Sequence, residues 1–142
     1  MRPSKKDLAV LATSLLAVFG IALLAHWLLA RFVIHGVTYR IAGGWLYWPF
    51  LFGWVVDAVL FGATGVALAI LLDASRRELW ALLVGALYSL ALFAISPVPL
   101  RGDAPTVVYF WVYGAYLVPP FACWLGAAYC KYHAEHQMRY PA

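Results

Sequence analysis

Four apolar stretches separated by short polar links make up almost the whole of this chain. The first is apolar from Leu8 to Ala30 and follows the basic opening Met-Arg-Pro-Ser-Lys-Lys-Asp. It matches the ~20 residues needed to cross a bilayer and exceeds the roughly 7–15 of a cleavable signal segment, so a retained helix is expected over 8–30. Ser4 and Asp7 spell a capping box at its start. The second stretch, WLYWPFLFGWVVDAVLFGATGVALAILL, runs from Trp45 to Leu72. Pro49 suits a first helical turn, where its missing amide would be unpaired anyway. Helix 2 is therefore expected over 49–72, behind an aromatic belt at Trp45–Trp48. Ser75 and Glu78 form a second capping box, so helix 3 is expected over 76–97. Helix 4 is expected over 106–130, with Pro119-Pro120 near its middle and a polar tail over 131–142. Between the first two helices, 31–48 forms an outer segment. Its part from Arg31 to Gly44 reads equally as a hairpin turned at His35-Gly36 or as helix 1 continued to about His35. The expected fold is all-α: one polytopic membrane domain, a four-transmembrane-helix bundle.

Composition makes a soluble domain untenable. The chain has 142 residues, 65% hydrophobic and only 11% charged, with a mean hydropathy of +0.84. That leaves too few charged side chains for a hydrated shell. The formal charge of +4 is scattered between apolar segments and forms no basic face, so no nucleic-acid partner is expected. Lysine and arginine read instead as topology signals. Arg2, Lys5, Lys6, Arg76, Arg77, Lys131 and Arg139 fall on one side of the expected bundle, and Arg31, Arg40 and Arg101 on the other. Both termini are therefore expected to be cytoplasmic, in a cell inner membrane. Cys123 and Cys130 lie two helical turns apart, roughly 10 Å, too far to bridge within one helix.

The polar groups inside the spans are few. Asp57 lies eight residues below Pro49, Ser89 eight below Pro97 and Tyr113 seven below Thr106, which places all three in one layer of the outer half. His26 is expected about one turn nearer the outer surface. Gly53, Asp57 and Thr64 share a face of helix 2, and Tyr109, Tyr113, Tyr116, Pro120 and Cys123 form a stripe on helix 4. Asp57, Ser89, Tyr113, His26, Tyr116 and Thr64 are thus the candidate lining of a small polar pocket open to the outer side. A carboxyl at its base can exchange protons. The competing role is packing, with Asp57 bonded to Tyr113 or Ser89 and never titrating; a third is docking a basic group on a partner subunit. Pro119-Pro120 removes two amides and frees the carbonyls of Ala115 and Tyr116. Gly62 and Gly65 are expected to let a neighbouring helix approach closely.

Other signals carry less. His133, Glu135 and His136 have metal-ligand residue types, but on a tail without nearby cysteines they fit headgroup contacts better. His26 and His35 flank the same outer boundary of one segment, a poor arrangement for axial haem ligation. Arg101-Gly102-Asp103 is accounted for by turn chemistry. No cofactor, metal or catalytic residue is assigned. The one trace of an enzyme is His26 with Asp57, an acid–base pair if they face each other.

The outline of four short helices with one membrane acid resembles the small multidrug transporters, which carry that acid on helix 1, whereas here Asp57 is on helix 2. The resemblance implies a dimer with Asp57 as the coupling residue of a small transporter or flippase. The first expectation is different: a non-enzymatic subunit or accessory factor of a larger membrane complex, acting through its transmembrane helices. Its partners are then the lipid bilayer and a protein partner or a second copy.

Overall fold

A computed structural model describes residues 4–28, 31, 48–72, 77–95 and 106–139. These residues form four helices and no strand: α1 (Lys5–Leu28), α2 (Trp48–Leu71), α3 (Arg77–Ile95) and α4 (Thr106–Arg139). Three of them, α1, α2 from Leu51, and α3, are long and apolar enough to cross a membrane. The chain is a membrane protein. The hairpin-or-helix question over Arg31–Gly44, the Trp45–Tyr47 part of the aromatic belt, Ser75 of the second capping box and the loop holding Arg101-Gly102-Asp103 all fall outside the described residues. Of the outer segment, Trp48 is described as the first residue of α2, and Arg31 with its guanidinium 5.5 Å from the Trp27 ring centroid.

Helix α1 begins with a reciprocal capping box. The Asp7 amide donates to Ser4 Oγ (3.0 Å), and the Ser4 amide and hydroxyl donate to Asp7 Oδ2 (3.0 and 2.8 Å). Amides that the first turn leaves unpaired thus find partners, and an acid sits at the positive end of the helix dipole. Helix α2 ends in a different way. Arg77 Nη1 reaches back from the start of α3 to the Ala69 carbonyl at 2.6 Å, supplying a charged donor to a last-turn acceptor. Helix α4 is longer than its apolar run. It continues without a break through Pro119-Pro120 and past Cys130 to Arg139. Lys131, the first residue of the expected tail, pairs with Glu78 of α3 at 2.8 Å. No glycine or proline lies between Cys130 and Pro141, so the backbone has no reason to stop at the polar boundary.

The pairings set the directions. Ala69 meets Arg77 and Phe61 meets Tyr88, so α2 and α3 are antiparallel. Glu78 meets Lys131 and Phe93 meets Tyr116, so α3 and α4 are antiparallel too. Lys5, Lys6, Arg77 and Lys131 consequently fall at one end, called here the basic end; His26 and Arg31 lie toward the far end.

Helix α4 packs most extensively against α2 and next against α3, and α1 lies more thinly against α2 and α3. The first contact depends on missing side chains. A Cβ on Gly65 would strike the Cys123 carbonyl, and one on Gly126 would strike the Gly62 carbonyl. On the other flank, a Cβ on Gly85 would stand 2.6 Å from both the Pro119 oxygen and Pro120 Cα. Lipid gives helices no hydrophobic reason to associate, so close backbone approach supplies the dispersion contact that holds them together. Phe61, Leu68, Tyr88, Pro119 and Cys123 fill the space left between these crossings.

Gly65→Ala should lower stability by about 1–3 kcal/mol, because backbone atoms must move to admit the methyl. Gly20→Ala, where nothing lies within 4 Å, should instead stabilise by roughly 0.5–1 kcal/mol through helix propensity. Thermal unfolding of the two variants in mild detergent checks the pair.

Candidate functional site

His26 and Asp57 meet where α1 crosses the far half of α2. Asp57 is 3% exposed, on the same face of α2 as Gly53 and Phe61. Its carboxylate Oδ2 stands 3.6 Å from His26 Nε2, an ion-pair distance somewhat beyond a direct hydrogen bond. Gly53 lies beside the imidazole, and a Cβ built there would sit 3.9 Å from Nε2, in ordinary contact, so the position has room for a small side chain.

Helix direction explains why His26 and Asp57 meet although counting places them a turn apart. Side chains lean toward the N-terminus of their own helix. Helix α1 starts at the basic end, so His26 leans down from the far end. Helix α2 starts at the far end, so Asp57 leans up toward it. Together the two inclinations close about one helical turn, ~5 Å.

The imidazole is held from behind. His26 Nδ1 lies 2.8 Å from the Ala22 carbonyl, one turn earlier on α1. A carbonyl only accepts, so Nδ1 is the donor and carries a hydrogen. The nitrogen facing Asp57 is then Nε2. Exposure across the pair is lopsided: the His26 side chain is 37% exposed and that of Asp57 4%.

The remaining candidates divide. Ser89 is buried, and its hydroxyl finds no hydrogen-bond partner among the described residues; the same holds for Asp57 Oδ1. Thr64 donates its hydroxyl to the Leu60 carbonyl at 2.8 Å, so it serves its own helix. Tyr116 packs edge-on against Phe93, with ring centroids 5.5 Å apart. Tyr113 is 47% exposed. Tyr88 of α3 lies one turn along from the acid against Phe61: it is 1% exposed, and its hydroxyl has no hydrogen-bond partner among the described residues. Its ring is wedged between Phe61 (4.6 Å) and Phe19 (5.7 Å). The available signal was a lone tyrosine in the aliphatic run of α3.

On α4 beyond the apolar run, the His133 ring packs on Tyr129 at 4.7 Å and the His136 ring on Tyr132 at 5.9 Å, each one helical turn away. The side chain of Glu135 is outside the described residues. Cys123 is buried and Cys130 half-buried, both as free thiols.

Chemically, the His26–Asp57 site can hold a proton or a compensating pair of charges. No family model, curated protein or solved structure matches this chain.

If the pair is coupled, His26→Leu leaves a buried acid uncompensated and costs about 1–3 kcal/mol, the range for a broken buried pair discounted for the exposure of His26. His26→Leu/Asp57→Leu should recover most of that loss. Additive losses in a double-mutant cycle on thermal stability would refute the coupling.

Proposed function

We propose that this protein is a four-span inner-membrane subunit or accessory factor, with both termini cytoplasmic, that acts through its transmembrane helices on a larger complex or a second copy of itself. The observation that carries this reading is the backbone-close packing of α4 on α2 and α3 at Gly62, Gly65, Gly85 and Gly126. Among the described residues the centre is filled by helix backbones and by Phe61, Tyr88 and Cys123, which supports a role carried by the outer faces of the bundle. Thr106–Cys130 contains no Asp, Glu, Lys, Arg or His, which supports α4 as the fourth span. Placement of Lys5, Lys6, Arg77 and Lys131 at one end supports the cytoplasmic assignment of that end.

A second reading, a small dimeric transporter or flippase coupled through Asp57, is favoured by the buried His26–Asp57 contact. In that case the solute path runs between two copies, and Asp57 exchanges protons along it.

Asp57→Asn separates the two. Intact co-purification in mild detergent with abolished solute-driven proton movement in liposomes supports the transporter. Lost co-purification without any transport in the wild type supports the subunit. A reporter fused after Ala142 should read as cytoplasmic; a periplasmic reading overturns the topology.

A further inference from the structure

Beyond either reading, the geometry points to His26 and Asp57 as a shared site for a single proton, and we propose that this proton holds the far end of α1 against α2. Four observations lead there. Because Nδ1 donates to the Ala22 carbonyl, its hydrogen is spoken for in every protonation state. Only Nε2 and the Asp57 carboxylate, 3.6 Å apart, remain to exchange a proton. With no proton between them, a lone pair faces a carboxylate and the site is net negative. With two, an imidazolium faces a carboxylic acid and the site is net positive. With one, the site is neutral overall, wherever along the gap the proton sits. A low-dielectric surrounding favours the neutral occupancy.

The second observation is that His26 is the one side chain compensating Asp57 among the described residues. Among the described residues, Asp57 Oδ1 is buried without a hydrogen-bond donor, and the hydroxyls of Tyr88 and Ser89 are buried without partners as well. Within that set the acid is supported only across the helix boundary. Third, the groups facing the pair are few on every helix packed around it. Helix α1 supplies His26 itself, with Arg31 exposed over Trp27 beyond it. Helix α2 supplies Asp57, and α3 supplies Tyr88 and Ser89. Helix α4 has no charged or histidine side chain over Thr106–Cys130; its titratable groups in the half toward this end are tyrosines, of which the side chains of Tyr113 and Tyr116 are described.

The fourth observation concerns access and anchoring. His26 is part-exposed near the end of α1, whereas Asp57 is enclosed, so a proton enters through the imidazole. Within the membrane stretch of α1, only Val18 and Ala22 are fully buried. The outer end of this helix therefore has little packing to hold it when the proton is lost or doubled.

The test uses the full chain in lipid vesicles. Nitrogen-15 NMR of histidine follows protonation of His26 Nε2 across pH 4–10, in the wild type and in Asp57→Asn. The proposal requires proton binding at His26 to weaken at least tenfold in Asp57→Asn, with Nδ1 protonated throughout. In parallel, spin labels at Leu28→Cys and Phe52→Cys, with Cys123 and Cys130 replaced by Ala, report the separation of α1 from α2. One short distance should persist over the one-proton range, and a longer population should appear outside it. His26→Gln/Asp57→Asn, a neutral pair that can still hydrogen-bond, should stay docked at every pH, which guards against a variant that fails to fold. Equal titration of His26 with and without Asp57, or a wild-type distance that ignores pH across the titration, overturns the proposal.

Discussion

Contact between helix backbones is the constraint on which the rest of this structure depends. In water, α2, α3 and α4 would associate simply by hiding leucine and valine. In lipid that incentive disappears, and helices stay together where their surfaces meet closely enough for dispersion to add up. Gly65 against the Cys123 carbonyl, Gly126 against Gly62, and Gly85 against Pro119-Pro120 supply that closeness. Each is a place where any side chain at all would force the helices apart. With α4 drawn in on both flanks, the aromatic rings of Phe61 and Tyr88 are confined to the remaining space on the α1 side. The Asp57 carboxylate lies one turn above them. The polar site is thus positioned by residues that are not part of it.

Helix α1 belongs to the assembly on different terms. It is securely begun, with three hydrogen bonds between Ser4 and Asp7, and lightly held thereafter. Phe19 touches the edge of the Tyr88 ring, and His26 approaches Asp57. The helix with the least packing thus carries one half of the most polar contact in the membrane. An electrostatic tether is sensitive to protons and to partner charges in a way that a glycine crossing is not, so the molecule combines a fixed part and an adjustable one.

Much of the fold was legible in the sequence because the membrane simplifies the code. Length and hydropathy mark helices, Ser4 with Asp7 marks a start, and Gly62 with Gly65 marks a close approach. Asp57 stood out because acids are costly in a span. The site was legible less completely, for physical reasons. Counting residues gives depth but neither azimuth nor the lean of a side chain. Counting put His26 a turn from Asp57 because it omitted the opposite inclinations of antiparallel helices. It gave Tyr113 a place in the layer of the acid without its exposure, which is 47%, and it passed over Tyr88 of α3, which is buried against Phe61 one turn from Asp57. Thr64 shares the acid's helix face, yet its hydroxyl is engaged by the Leu60 carbonyl, a local bond that a face diagram does not show. Helix α4 runs on past the apolar stretch 106–130 because hydropathy marks where a stretch ceases to be apolar and says nothing about where a helix unwinds.

That continuation has a geometrical consequence. Thirty-four helical residues span about 50 Å at 1.5 Å per residue, well beyond a hydrocarbon core of about 30 Å. Helix α4 therefore has one arm at Phe110 beside Trp54 and the other extending past the Glu78–Lys131 clasp. Its close contacts with Gly65 and Gly85 fall near its middle, so similar lengths of helix project to either side of them, with Phe110 on one arm and Tyr132, His133 and His136 on the other.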